Sequence, residues 1–235
     1  MSEPNDLERF YGGDRPDFER VWLARFRKAL DRLAGEEVRR EVMAPDALQA
    51  SDTISWTAGA LARLALSVEE PTSQKVLSAC ACKFPRPRLQ PIREVYAASQ
   101  DLAQAHARLE ELFVSDLRNV MKLPEERIKN LLGRGWGMAG RFQGEAVVAV
   151  KMPFDLEGYF EAETQTERRY AYCHCPRVRE AVRSPEPAVP RLYCYCGAGF
   201  YQDIWETILG RPVEVEVLET VLEGGEVCRI AVRVV

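Results

Sequence analysis

Lysine and histidine are scarce in this chain of 235 residues: the lysines are Lys28, Lys75, Lys83, Lys122, Lys129 and Lys151, and the histidines number 2. With 32 basic against 36 acidic residues and a formal net charge of −4, the basic excess that neutralises a run of phosphates is missing, so nucleic acid is excluded as an expected partner. No uninterrupted apolar run approaches the roughly 20 residues that cross a bilayer. The start, MSEPNDLERF, is acidic and polar where a signal peptide is basic and then apolar. These absences predict a cytoplasmic protein without a membrane partner. No repeat of fixed period runs through the chain.

A chain of this length with 46% hydrophobic residues can bury a full core without covalent staples. Splitting it after Gly144 leaves 22 basic and 21 acidic residues in the first part, and 10 and 15 in the second, so the acidity belongs to the C-terminal part. The two parts also differ in hydrophobic period. Phe18, Val21, Trp22, Phe26, Leu30 and Leu33 recur at spacings of three and four, the mark of one buried helical stripe, with Asp14 and Pro16 placed as cap and first-turn residues. Similar stripes run through Ile54 to Leu66, Pro71 to Ala79, Ile92 to Leu117, and Pro124 to Leu132, the last ended by Gly133. The segment Lys83 to Ile92 holds three prolines and reads as a loop or extended crossing.

After Gly133 the period shortens. Trp136 to Phe142 and Glu145 to Met152 flank Gln143-Gly144 and predict a hairpin. Arg169 to Cys175 reads as a strand, Phe200 to Leu209 as a short helix ended by Gly210, and Pro212 to Val221 with Glu226 to Val234 as two further strands. Val213, Val215 and Val217 alternate with glutamates, as in a sheet with one face buried and one in water. Glu214 and Glu216 then occupy the polar face and do not form an acid/base pair with Glu219. The predicted fold is α+β, an N-terminal helical layer (1–133) packed on a C-terminal antiparallel sheet (134–235), the two integrated as one domain.

Six of the seven cysteines fall in Cys-x-Cys pairs, Cys80/Cys82, Cys173/Cys175 and Cys194/Cys196, with Cys228 alone. In a reducing compartment this density points to metal binding or redox chemistry before structural disulfides. On a strand, residues i and i+2 face the same way with Cα atoms roughly 6.8 Å apart, at the edge of disulfide geometry. Two such pairs on neighbouring segments turn four sulfurs toward one point, the set a tetrahedral zinc takes at roughly 2.3 Å per bond. Thiolates equally suit Cu(I) or iron–sulfur centres. Cys80 and Cys82 end a predicted helix, where i and i+2 diverge, and read as buried small hydrophobes. His174, between two cysteines, faces away from them; His106 lies in a helical stripe and packs. Gly133 to Gly140 lacks the Lys-Ser/Thr of a phosphate cradle and reads as a twisted strand. Trp56, Trp136, Phe142, Tyr172, Phe200 and Trp205 supply apolar lining for a core or a pocket.

The run from Cys194-Tyr-Cys-Gly-Ala-Gly-Phe-Tyr through Ile-Leu-Gly-Arg-Pro-Val213, with Gly224-Gly-Glu-Val-Cys-Arg-Ile230 after it, resembles the 4-vinyl-reductase-type small-molecule-binding domain. It is most similar to that domain's uncharacterised cysteine-rich bacterial and archaeal members, which are related to a thiazoline-carboxylate hydrolase family. The resemblance covers Tyr193 to Val232, and more loosely Gly133 to Cys175. It implies a zinc site in which Cys194 and Cys228 stand at ligand positions while Val217 and Thr220 stand at the other two, with Cys173, Cys175 and Cys196 as replacement thiols. It further implies a cavity between sheet and helices for a small apolar or aromatic ligand. The expected function is therefore a metal-stabilised, sensor-like small-molecule-binding protein, with zinc or another thiophilic metal held by Cys173, Cys175, Cys194, Cys196 and Cys228, and with a homodimer among the expected assemblies. The alternative expectation is an enzyme, either a metal-assisted hydrolase or a thiol-dependent redox protein that exchanges disulfides among its Cys-x-Cys pairs.

Overall fold

The computed structural model describes residues 17–44, 52–184 and 188–234; Asp14 and Pro16 lie outside them. Helix α1 (Phe18–Leu33) buries Trp22, Leu23, Phe26, Ala29 and Leu30 along one stripe, as the sequence spacing requires. After the short α2 (Glu36–Val42) comes α3 (Thr53–Ser67), whose first turn is capped by the Asp52 carboxylate accepting from the Ile54 amide at 2.9 Å. Helix α4 (Glu70–Ala79) starts with proline in its first turn and ends at Cys80.

The proline-rich segment departs from expectation. It is not a loop throughout: α5 (Arg86–Ser99) begins inside it, with Pro85 at the cap and Pro87 in the first turn, where the missing amide hydrogen has no helical acceptor to lose. The apolar stripe through Ile92 to Leu117 is shared between α5 and α6 (Leu102–Asn119), because Gln100 takes a left-handed φ of 53° and Asp101 caps the second helix by accepting from the Gln104 amide at 3.0 Å. Helix α7 (Glu125–Gly133) follows, with Pro124 as its cap residue.

The sheet has four strands in the order β1-β2-β4-β3, all neighbours antiparallel. Strands β1 (Arg141–Gln143) and β2 (Ala146–Val150) form the expected hairpin around Gly144, whose φ is +62°. The first strand is shorter than predicted. The glycine-rich stretch before it forms turns, and Trp136 makes an isolated parallel bridge to Val150. Strands β3 (Glu214–Glu219) and β4 (Arg229–Arg233) pair as predicted, with an irregularity between Val217 and Glu219.

Two elements between the hairpins correct the sequence reading. Helix α8 (Leu156–Glu161) was not anticipated, and Arg169 to Cys175 is not a strand: α9 (Gln165–Tyr172) occupies most of it. A capping box starts α9, since the Thr164 hydroxyl accepts from the Glu167 amide at 3.2 Å while the Glu167 carboxylate accepts from the Thr164 amide at 3.0 Å. Only Cys173 to Cys175 is extended. The helix predicted over Phe200 to Leu209 begins earlier, as α10 (Tyr195–Leu209), continuous with a single 3₁₀ turn at Arg191–Cys194.

Helix α10 is the middle layer, packed against α4 and α5 on one side and β3 and β4 on the other. Its burial is nearly circumferential, from Ala198, Ile204, Trp205 and Ile208 to Asp203, whose carboxylate takes Lys83 at 2.9 Å and Arg86 at 3.1 Å. The approach to α4 is set by Gly199, where an added Cβ would lie 2.1 Å from the Ser78 carbonyl oxygen. Because the obstacle is backbone, Gly199→Ala is expected to destabilise the chain by about 3 kcal/mol or more, seen as a lower urea midpoint. A wild-type midpoint in that variant contradicts this packing.

Candidate functional site

A cavity of about 170 Å³ lies where the helical layer, α10 and the sheet meet. Phe18 of α1, Phe113 of α6 and Met121 just beyond it, Phe200 and Tyr201 of α10, Val217 of β3 and Ile230 of β4 contribute to its walls. Among these side chains are six of the seven cysteines, Cys82, Cys173, Cys175, Cys194, Cys196 and Cys228. All seven cysteines are free thiols.

Four segments bring them there. Cys82 stands in the extended stretch after α4, tied to α1 by Arg25, which donates to the Ala81 carbonyl at 2.5 Å. Cys173 and Cys175 follow α9. Cys194 ends the 3₁₀ turn and Cys196 lies in the first turn of α10, while Cys228 precedes β4. The Cys173–Cys175 segment is anchored by the next basic residue: the Arg177 guanidinium lies between the rings of Trp22 and Trp56, 4.5 and 4.9 Å from their centroids, and donates to the Thr57 hydroxyl at 2.9 Å and to Glu19. Burial lowers the Arg177 pKa to about 10, so it stays charged at neutral pH.

The Cys194/Cys196 pair behaves differently from a strand pair. Because Cys194 and Cys196 sit on helical backbone, their side chains diverge by roughly 200° about the axis. Cys194 Sγ hydrogen-bonds with the Thr220 hydroxyl at 2.9 Å, and Cys228, Cys173 and Cys175 are its thiol neighbours. Cys196 faces the other way, toward Trp22, Cys80 and Cys82. Cys175 takes a third position, hydrogen-bonded with the Tyr193 hydroxyl at 2.7 Å. The sulfurs therefore ring a cavity instead of meeting at a point, and among the described residues no group of three or more His, Cys, Asp or Glu is arranged to hold a metal ion. All four zinc positions implied by the resemblance, Cys194, Val217, Thr220 and Cys228, line the cavity. Two of them offer sulfur, one a hydroxyl and one only hydrocarbon. That set does not complete a tetrahedral zinc shell.

Burial raises the ordinary thiol pKa throughout this wall: Cys173 is pushed up to about 11, and Cys175, Cys194, Cys196 and Cys228 are also raised, chiefly because a thiolate there would lose water. Lys151, just after β2, is a lysine on the same wall and partly offsets the effect at Cys173, Cys196 and Cys228. His174 also lines the cavity, but its Nε2 lies 2.5 Å from the Met152 carbonyl oxygen and its ring packs edge-on against Phe154. His106 packs as expected, between Phe142 and Trp205, with Nε2 2.9 Å from the Gly140 carbonyl oxygen.

Sequence reasoning assigned Cys80 and Cys82 together as buried packing. The structure separates them: Cys80 is buried behind the wall and bonds back to the Val76 carbonyl at 3.3 Å, while Cys82 faces the cavity. Lys151 and Tyr193 were not singled out as cavity residues. A lone lysine closing the apolar run Ala146 to Val150 was the available signal. Comparison with protein-family models, curated proteins and solved structures finds no match.

Because the folded-state thiol pKa values lie above the unfolded value of 9.0, the thiols are protonated in both states below that pH and deprotonate first in the unfolded chain above it. Stability is therefore expected to fall as pH rises from 9 toward 11, Cys173 contributing across that window. Urea unfolding at pH 8 and pH 10 measures it, and Cys173→Ser should shrink the difference.

Proposed function

We propose that this chain is a cytoplasmic, sensor-like protein that binds one small apolar or aromatic molecule in the cysteine-ringed cavity, with a thiophilic metal as its stabilising partner. The observation that carries the reading is a cavity walled from both layers, with aromatic rings and aliphatic side chains on its surface. Its volume of about 170 Å³ is comparable to engineered apolar cavities of about 150 Å³ that accept benzene, so a single ring is the scale of ligand it suits. The resemblance to a small-molecule-binding domain argues in the same direction. So do the free thiols, which are what a reducing compartment maintains. Among the described residues, no helix is long and apolar enough to cross a membrane.

The enzymatic alternative has less support. A nucleophilic thiol needs a lowered pKa or an adjacent base, whereas burial pushes these thiols up and the His174 imidazole nitrogen is engaged by a backbone carbonyl. For metal, the thiols expected from the sequence, Cys173, Cys175, Cys194, Cys196 and Cys228, all line the cavity.

Gly197 gives a clean test. It lines the cavity, and a Cβ added there meets only the Lys151 ammonium, at 3.5 Å. Gly197→Leu is therefore expected to fill the cavity without a backbone clash, and to keep or raise stability, since glycine in a helix costs up to about 1 kcal/mol. Toluene should raise the melting temperature of the wild-type chain and leave that of Gly197→Leu unchanged. Equal shifts in both, or none in either, reject the cavity as the binding site.

A further inference from the structure

A cation in the cavity wall lacks a counter-charge. The main chain of Lys151 is pinned on both sides, its amide donating to the Cys228 carbonyl at 3.0 Å and its carbonyl accepting from the Tyr172 hydroxyl. From that fixed base the half-buried side chain reaches α10, where its ammonium lies 3.5 Å from the place a Cβ would take at Gly197. Both residues line the cavity. Among the described residues no carboxylate pairs with this ammonium. Glu219 is the one acidic residue among the described side chains that line the space, and it is engaged elsewhere. Its Oε1 accepts from the Glu226 and Val227 amides at 2.9 and 3.3 Å, and its Oε2 from Arg229 Nε at 3.4 Å. The neighbouring thiols do not supply the charge either, since burial keeps Cys173, Cys196 and Cys228 protonated at neutral pH. An ammonium set among apolar walls gives up part of its hydration, and an anion brought into the same space restores what is lost.

We infer that the cavity takes a small aromatic monocarboxylate, its ring among Phe113, Phe200 and Tyr201 and its carboxylate on the Lys151 ammonium. This rests on the reading of the cavity as the binding site and names the chemical class of its ligand. Size fixes the ring: a space of about 170 Å³ is on the scale of the engineered cavities of about 150 Å³ that hold benzene. Charge fixes the substituent. One ammonium offsets one negative charge, so a carboxylate leaves the occupied site neutral beside the protonated thiols. A phosphate ester, with close to two negative charges and three acceptor oxygens, is left undercompensated there. Lysine also suits the task by geometry, because an ammonium is a point charge with rotatable donors and takes a carboxylate from several directions. The pinned main chain limits where that charge can go, which orients the ligand with its acid group toward Gly197.

Calorimetric titration of the full, reduced chain with benzoate, benzamide, acetate and protonated benzylamine tests the inference. Benzoate and benzamide share a shape and differ in charge. The expected result is benzoate bound roughly tenfold or more tightly than benzamide, with that advantage shrinking as salt is raised, and no binding of the benzylammonium cation. Acetate, which has the charge without the ring, should bind at least roughly tenfold more weakly than benzoate. Lys151→Met keeps the apolar stem and both main-chain hydrogen bonds, so it should bring benzoate down to the affinity of benzamide while toluene still raises the melting temperature. Benzoate held no more tightly than benzamide overturns the inference, as does benzoate unaffected by Lys151→Met. Acetate equal to benzoate marks general attraction of anions to a lysine and overturns it too. Should Lys151→Met lose toluene as well, the cavity itself has been lost in that variant, and the comparison of benzoate with benzamide in the wild-type chain decides. Toluene bound with no preference for benzoate defeats this inference alone, whereas neither bound defeats the cavity reading beneath it.

Discussion

The fold turns on one contact, the approach of Gly199 in α10 to the backbone of Ser78 in α4. No side chain fits there. With any larger residue the two helices would stand apart, and each carries thiols to the cavity. Helix α10 presents Cys196 from its first turn with Cys194 at its cap, and α4 delivers Cys82 three residues beyond its last turn. The same helix contacts β3 and β4, so its position also sets how far Cys228, Val217 and Thr220 lie from the helical layer. A glycine chosen for close packing thus fixes the dimensions of a space whose walls are made by other residues.

The third wall is held electrostatically. Cys173 and Cys175 lie on irregular backbone that has no ladder to fix it, and Arg177 supplies the fixation from two residues further on. A guanidinium taken from water loses much solvation, which the fall in its pKa to about 10 records. Two indole faces, a threonine hydroxyl and a carboxylate replace the lost water. A desolvated cation over a ring gains about 2 kcal/mol. Two such faces offset a good part of a desolvation cost that runs to several kcal/mol per ion. Trp22 is common to this arrangement and to the cavity, since its other contacts are the rings of Phe26 and Tyr193 and the Cys196 thiol. The anchor and the thiol ring are one packed unit.

Much of this was legible in the sequence. The helical stripes, the two hairpins and the α+β class follow from periodicity, because burial of one face dictates the spacing of apolar residues. The readings that failed share a cause: local cues were weighed without the element that caps them. Arg169 to Cys175 alternates like a strand, yet Thr164 and Glu167 upstream had already set a helix. Three prolines between Lys83 and Ile92 suggest a loop, yet Pro85 and Pro87 stand at the cap and in the first turn, where proline is harmless, and only Pro91 lies inside the helix. The cysteine pairs were recognised as the notable feature. The arrangement of Cys194 and Cys196 was not, because i and i+2 face together on a strand and diverge on the helical backbone these two occupy. Lys151 was invisible for a different reason. One lysine at the end of an apolar strand is ordinary in a sequence, and its role depends on which walls the fold closes around it.

The protonation state of the thiol ring bears on the occupant proposed for it. While the thiols keep their protons, which burial favours, the cavity is an apolar space with weak S–H donors, suited to an uncharged aromatic ring and carrying no repulsion between neighbours. A ring-sized molecule in that space would keep water from the same thiols, so the proposed ligand and the raised thiol pKa values would favour one state of the wall, the protonated one.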